Sequence, residues 1–258
     1  MGNLRKAWMC ARYFMSARNM RGFGIHSPYL YEFVQQVICN RHPYYCFARL
    51  EAMRRMLLHD DSVVYVKDYG TGVSGERKVS SIARRSLASP RYAQMLFRMA
   101  VYTKSKRILE LGTSLGLTAC YLASSGNVHC TTVEGSEKLV EIAKKIARKF
   151  HLNNIRFLCG NLDELLDSAL RTYEPFDMVY FDANHTEEAT LRYFEMALQA
   201  RTEESIFVFD DIRASEGMSR AWNVIRHHKD VTASVDVYRL GVVFFSSRFK
   251  QKTYYVKR

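Results

Sequence analysis

The chain has 258 residues, 48% of them apolar, enough to fill a core, and it carries 38 Lys and Arg against 26 Asp and Glu for a net charge of +12. No apolar run approaches the roughly 18 to 20 residues that cross a bilayer, and the basic N-terminus is too broken by Arg and Asn to act as a secretory signal. Six cysteines (Cys10, Cys39, Cys46, Cys120, Cys130, Cys159) are scattered with no CxxC pair, a pattern that suggests neither disulfides nor zinc and leads us to expect a soluble, cytoplasmic protein.

The charge is uneven. Residues 1–106 hold 18 Lys and Arg against 6 Asp and Glu, whereas residues 107–258 hold 20 of each class. Two readings of this excess stand open: solvated helix faces, or a surface that meets something anionic such as nucleic acid, a phosphorylated substrate or a membrane. Helices are expected at about 3–20, 28–39 and 47–58. A glycine-spaced loop follows at 70–75, within DYGTGVSGERK, and then a helix over 90–102 with Ser89 as N-cap and Pro90 at its first position. We read residues 1–88 as a basic helical extension packed on the domain that follows, 89–258.

From residue 107 strands and helices alternate. RILEL (107–111), VHCTTVE (128–134), IRFLC (155–159), FDMVYFD (176–182) and SIFVFDD (205–211) read as buried strands. Helices are expected over 115–125, 137–150, 162–170, 187–200 and near 215–228; in the second, Leu139, Ile142, Ala143, Ile146 and Phe150 recur at helical spacing. VTASVDVYRLGVVFFSS then supplies two strands around a turn at 239–241. The expected fold is α/β: a Rossmann-like, seven-stranded, mostly parallel sheet ending in an antiparallel hairpin, with helices on both faces.

Two loops compete as the nucleotide-binding turn. Gly112 and Gly116 lie between a strand and a helix that open a run of β/α units, and Glu134 ends the next strand 22 residues after Gly112, where a carboxylate can take both ribose hydroxyls. The 70–75 loop has no following unit and no partner acid; it reads as a turn between extension and domain, with a lid over the site as the alternative. A dinucleotide fold wants G-x-G-x-x-G, but Ser114 stands at the middle glycine position, which argues against a nicotinamide cofactor.

The pattern Glu110-x-Gly112-x-x-x-Gly116 resembles the first motif of class I S-adenosylmethionine-dependent methyltransferases. With Gly116-x-Thr118, the strand end FDMVYFDANH and the strand end FVFDDIRAS, the likeness narrows to the branch of catechol and caffeoyl-CoA O-methyltransferases. GFGIHSPYLYEF and the 68–86 segment are also similar to uncharacterised bacterial class I methyltransferases with a helical N-terminal extension. The resemblance implies S-adenosylmethionine as cofactor, held by Glu110, Gly112, Thr113, Ser114, Gly116, Thr118, Glu134, Gly135, Ser136, Asn161, Leu162 and Asp182, with Asp163 a further candidate near the adenine. It also implies Mg²⁺ held by Asp182, Asp210 and Asp211, activating a bound hydroxyl. Two departures stand out: Asp211 replaces an Asn, and His185 stands where the branch has its general-base Lys, a role a histidine can fill near neutral pH. His26, before Ser27 and Pro28, reads as a helix start with a buried imidazole rather than a substrate contact.

The expected function is therefore methylation of a small-molecule hydroxyl. An RNA methyltransferase guided by the basic extension is the less favoured alternative, since Asp182-Ala-Asn-His185 stands where a base N-methyltransferase would carry an Asn/Asp-Pro-Pro-aromatic motif. A non-catalytic cofactor-binding protein is the third, and turnover of labelled cofactor separates it. The acceptor and the oligomeric state are not legible in the sequence.

Overall fold

The structure is a computed structural model, which describes residues 13, 15, 17, 19–70, 72–173 and 175–257. The expected helix at about 3–20 and Cys10 fall largely or wholly outside them. Helix α1 (Pro28–Phe33) starts at Ser27, whose Oγ accepts from the Leu30 amide, and runs on into one wider turn over Val34–Cys39. Helix α2 (Phe47–Leu58) follows. Two short strands, β1 (Val63–Val66) and β2 (Gly75–Lys78), pair antiparallel and bring the 67–74 loop out as a hairpin tip. Helices α3 (Val79–Ser86) and α4 (Pro90–Tyr102) lead into the sheet.

The main sheet alternates as expected: β3 (Arg107–Leu111), α5 (Leu117–Ala123), β4 (His129–Glu134), α6 (Glu137–Lys149), β5 (Ile155–Cys159), α7 (Leu162–Tyr173), β6 (Phe176–Phe181), α8 (Glu187–Leu198), β7 (Arg201–Phe209), α9 (Glu216–Arg226), β8 (Ala233–Asp236), β9 (Gly241–Phe244) and β10 (Thr253–Tyr255). The strand order is β10-β8-β9-β7-β6-β3-β4-β5. Strands β5, β4, β3, β6 and β7 are parallel, while β9 runs antiparallel to both β7 and β8. The sheet has eight strands where seven are expected. The extra one, β10, is three residues long and sits in a basic, polar tail, too short to show a strand period.

Both sheet faces are covered, so the central strands read as nearly continuous apolar runs. Side-chain alternation sends Ile108, Met178, Tyr180 and Val208 to one face, where α4, α5 and the extension pack through Met95, Leu96, Phe33, Val34 and Val37. Leu109, Leu111, Val179, Phe181, Phe207 and Phe209 go to the other, against α7, α8 and α9. The extension thus contributes residues to the same core as the sheet. A further cluster joins α2 and α3 to α4, α5 and α6 through Phe47, Leu50, Phe97 and Tyr121. His26 does start a helix but its side chain is exposed, since the turn of Phe23 to Ile25 buries Ile25 instead.

Candidate active site

Strand β3 pairs with β4 on one side and with β6 on the other, so the chain leaves the sheet in opposite directions at the carboxyl ends of these strands. Such a switch point opens a crevice. A cavity of about 450 Å³ lies there, within the size range of small-ligand sites. Its floor is made by Gly112 and Ser114 after β3, Glu134 and Gly135 after β4, Gly160, Asn161 and Leu162 after β5, and Asp182, Ala183, Asn184 and His185 after β6. Asp211 and Arg239 close one end. A second cavity of about 470 Å³ lies at the amino ends of β3 to β5, among Arg107, His129, Asn154 and Arg156. It has no glycine turn and sits at the end of a parallel sheet that ligands do not favour.

The backbone at the floor is unusual. Gly112 has φ +98°, and a Cβ there would stand 2.2 Å from the Asp182 carbonyl oxygen, so only glycine lets the β3 and β6 ends approach this closely. Ser114, Asn184 and Asp211 all line the cavity with positive φ (48°, 55° and 51°) although none is glycine. Positions of this kind cluster where a site needs a fixed geometry.

Glu134 organises the turn. Its Oε2 accepts the Ser114 amide at 2.8 Å and its Oε1 the Ser136 amide at 2.9 Å. Burial pushes the carboxyl upward in pKa, against those amide bonds. Each oxygen has a second lone pair for a ligand hydroxyl.

At the β6 end, His185 Nε2 lies 3.3 Å from Asp182 Oδ1. The Tyr180 hydroxyl stands 3.1 Å from both Asp182 Oδ2 and Asp210 Oδ2, and its single proton serves one at a time. Burial, then the charge of Asp210, pushes Asp182 up to about 7. Burial works to lower the His185 imidazole, but the hydrogen bond to Asp182 and the charges of Asp182, Asp211 and Asp210 outweigh it and raise the pKa. The charged form of each favours that of the other, so their titrations are linked.

Several expected ligands sit elsewhere. Glu110 is fully buried beneath the floor and does not line the cavity. Strand alternation turns it into the apolar face, where its Oε2 accepts from Thr132 Oγ1 at 2.6 Å and its Oε1 has no hydrogen-bond partner among the described residues. Thr132 in turn meets Thr113 at 2.5 Å, so Glu110 and Thr113 brace the turn from below. Gly116 (φ +77°) caps α5, and a Cβ there would lie 2.5 Å from that of Ala143: it is a helix-packing glycine. Thr118 is buried in α5, and Ser136 is buried with its amide on Glu134. Asp163 faces outward, held by Tyr193 Oη and Arg192 Nη2 at 2.6 Å each.

The three-carboxylate metal centre expected at Asp182, Asp210 and Asp211 is not assembled. Among the described residues no three His, Cys, Asp or Glu side chains are grouped to hold a metal ion. The reason is Arg239. Its Nε and Nη2 each reach an oxygen of buried Asp210 at 2.8 Å, and Nε lies 3.2 Å from Asp211 Oδ1. The oxygens a cation would need on Asp210 are already bonded to a guanidinium, in the fork geometry that arginine matches best.

Residues that sequence reading did not assign also line the cavity: Lys67, Asp68, Tyr69 and Gly70 from the hairpin tip, Arg77, Arg85 and Ser86 from the segment after it, and Arg239. Tyr69 packs over Gly135, where a Cβ would come within 2.5 Å of the ring, and Gly70 packs over Asn184. Asp68 and Arg77 pair at 3.1 Å across the loop base. The 67–70 segment therefore lies over the tips of β4 and β6. The signal was the second glycine loop itself; Arg239, in a tight turn, offered only the need of two adjacent aspartates for a countercharge.

Residues 109–212 match the family model described as "Methyltransferase domain". Over 81 residues the chain is 31% identical to an uncharacterized RNA methyltransferase of Protochlamydia amoebophila, covering 31% of this chain but only 18% of that protein. Solved structures with the same architecture include the O-methyltransferase TomG of Streptomyces achromogenes in complex with SAM (20% identity, 63% of this chain and 82% of that one, TM-score 0.55). An O-methyltransferase of Bacillus cereus in complex with SAH aligns at 19% identity over 83% of this chain and 96% of that one, with TM-score 0.57. The SAH-bound Podospora anserina methyltransferase PaMTH1 aligns at 12% identity over 87% and 98%, with TM-score 0.61. Residues 109–212 are thus similar to a methyltransferase family model, and the chain shares its fold with these solved structures. No helix among the described residues is long and apolar enough to cross a membrane.

Proposed function

We propose that the cavity binds S-adenosylmethionine and that the protein transfers its methyl group to a hydroxyl oxygen of a small molecule. The observation that carries this reading is the opening of the Glu134 carboxylate, the Gly112–Ser114 turn and the Asp182–His185 pair into one cavity at the switch point. Glu134 takes the ribose hydroxyls, Asn161 and Leu162 border the base, and Gly112 lets the amino-acid tail approach the backbone. When bound, the cofactor supplies an electrophilic methyl group on a positively charged sulfur.

The chain's part is to place the acceptor oxygen in line with that methyl group and to take its proton. With Nε2 facing Asp182, His185 has Nδ1 left for the acceptor hydroxyl. The carboxylate fixes the ring and stabilises the imidazolium that forms, as an orienting acid does for a catalytic histidine. The acceptor oxygen gains a bond to carbon and loses its proton to His185, and the carbon–sulfur electron pair stays on sulfur. The hairpin tip over the strand ends limits water access. No step uses Mg²⁺, because the donor set at Asp210 and Asp211 does not fit it.

The test is calorimetric titration with S-adenosylmethionine and S-adenosylhomocysteine, then transfer of a labelled methyl group to a panel of phenols and enols. Micromolar binding with turnover supports the reading; absence of cofactor binding ends it. One finding favours a second acceptor class: the Protochlamydia amoebophila relative is described as an RNA methyltransferase. Arg21, Gln35 and Arg41 of the extension line one surface hollow, and Asn40 and Arg41 with Arg91 and Gln94 of α4 a second. Under the RNA reading, binding of a structured RNA weakens steeply between 50 and 200 mM salt; under the small-molecule reading no specific shift is seen.

A further inference from the structure

Arg239 is placed where a metal-dependent methyltransferase would need a divalent cation. It comes from the turn between β8 and β9, next to Tyr238, whose φ is +74°, and it lines the cavity with about a third of its side chain exposed (32%). Asp210, 1% exposed, holds it by two parallel hydrogen bonds of 2.8 Å, and Asp211 stands 3.2 Å from Nε. The Tyr92 ring covers the guanidinium at 5.6 Å. Nε and Nη2 are engaged, whereas Nη1 has no hydrogen-bond partner among the described residues. A cationic N–H is thus left on a side chain that lines the same cavity as Asp182 and His185.

We propose, building on the methyltransferase reading, that Arg239 is the resident cation of this site. Its guanidinium fills the acidic cluster in place of a metal and uses Nη1 to hold the acceptor's developing oxyanion. Two consequences define the substrate class. A divalent ion coordinates two neighbouring oxygens and so selects a chelating diol, whereas one nitrogen holds a single oxygen. The acceptor is therefore an aryl or enol compound with one acidic hydroxyl, and a second hydroxyl beside it brings no advantage. The cation is also covalently part of the chain, so neither chelators nor added Mg²⁺ change the reaction. The Asp210–Arg239 pair then parallels a preorganised oxyanion donor, oriented before the acceptor arrives.

The experiment uses the full chain saturated with S-adenosylhomocysteine, its binding first verified by calorimetry. Mn²⁺ is titrated and followed by electron paramagnetic resonance, and 4-nitrophenol and 4-nitrocatechol are titrated and followed by absorbance. We expect no Mn²⁺ site tighter than millimolar in the wild type. Both phenols should bind as phenolates with affinities within threefold, unaltered by EDTA or Mg²⁺. Arg239→Gln should lose tenfold or more in phenolate affinity, bind S-adenosylhomocysteine as before, and gain Mn²⁺ binding as Asp210 and Asp211 lose their partner. Asp210→Asn/Arg239→Gln, which leaves no unpaired buried charge, guards against misfolding of the single variant and should lose phenolate affinity without gaining Mn²⁺. Tight Mn²⁺ binding by the wild type, a Mg²⁺-dependent preference for the catechol, or failure of either phenol to bind the cofactor-loaded protein overturns the assignment. Failure of S-adenosylhomocysteine itself to bind overturns instead the methyltransferase reading beneath it.

Discussion

The sharpest test of the site is Glu134→Ala. In the structure the carboxylate lines the cavity and bonds loop amides, Ser114 at 2.8 Å and Ser136 at 2.9 Å, with the Gly135 amide also favouring its charged form; the lone pairs that remain are open to a ligand. Two ribose hydroxyls donating to those lone pairs make charge-assisted hydrogen bonds of roughly 1.5 kcal/mol each. Their loss costs about 3 kcal/mol, a weakening of about 100-fold in Kd. S-adenosylmethionine at 100 times the wild-type Kd stabilises the folded state by about 2.7 kcal/mol, which for a chain of this size raises Tm by roughly 5 to 10 °C. At that same concentration the variant sits near its own Kd and gains less than about 0.5 kcal/mol, an increase of only about 1 to 2 °C. The substitution also frees two loop amides and lowers the Tm of the apoprotein, so the quantity to read is the ligand-induced shift, not the absolute Tm. Differential scanning fluorimetry supplies that shift and calorimetry the Kd. A folded Glu134→Ala protein whose Kd stays within threefold of the wild type would refute the ribose role and with it the orientation of the cofactor.

Much of the architecture was legible because long apolar strands separated by amphipathic helices leave few alternatives. The five parallel strands, the terminal β8–β9 hairpin and the turns at Gly112 and Glu134 lie where periodicity and spacing put them. Sequence spacing was a poorer guide to which motif residues touch the cavity. Glu110 and Ser114 belong to one motif, yet alternation along β3 sends Glu110 into the core while Ser114, past the strand end, lines the cavity. Gly116 carries the motif's second glycine, but its space is taken by Ala143 of α6, a contact that no local pattern reveals. Arg239 lies 29 residues beyond Asp210 and reaches it only because β9 inserts between β7 and β8.

The extension's place follows from the same physics. Val66 is the only buried residue of β1, and β2 has none, so the hairpin cannot stand by a core of its own. Val79, Ile82 and Ala83 on α3 anchor its base in the cluster shared with α4, α5 and α6. The tip then rests on Tyr69 against Gly135 and Gly70 against Asn184. A base tied into the core and a tip in two close contacts hold residues 67–70 over the strand ends.

Three further outcomes follow from Glu110, His185 and Gly116, and a fourth from the charge of the ligand. Glu110 is a carboxyl pushed up to about 8 by burial, so the folded state holds its proton; its stabilisation is complete below pH 4.5 and is lost between pH 4.5 and 8, by as much as about 5 kcal/mol. Urea unfolding of Glu110→Gln should lack that part of the slope, and an unchanged pH profile would place the proton elsewhere. His185→Ala should cut methyl transfer by about 10²- to 10⁴-fold and remove a rise in rate through neutral pH; a rate within twofold of the wild type dismisses it as the base. Gly116→Ala, strained by its left-handed φ and by contact with Ala143, should cost about 2 to 4 kcal/mol, read as a Tm lower by roughly 5 to 15 °C, and a fall under 2 °C would contradict the packing role. Finally, S-adenosylmethionine is cationic at sulfur whereas S-adenosylhomocysteine is neutral, so only the former depends on the Asp182 charge. Asp182 is held up to about 7, and below that pH the Asp182–His185 pair keeps a proton and loses its attraction for the sulfonium. The preference for S-adenosylmethionine over S-adenosylhomocysteine should therefore rise about tenfold, or about 1.4 kcal/mol, from pH 6 to 8. Calorimetry with both ligands tests it: parallel pH profiles would mean that the sulfur rests away from Asp182, and then His185 is not within reach of the transferred methyl group either.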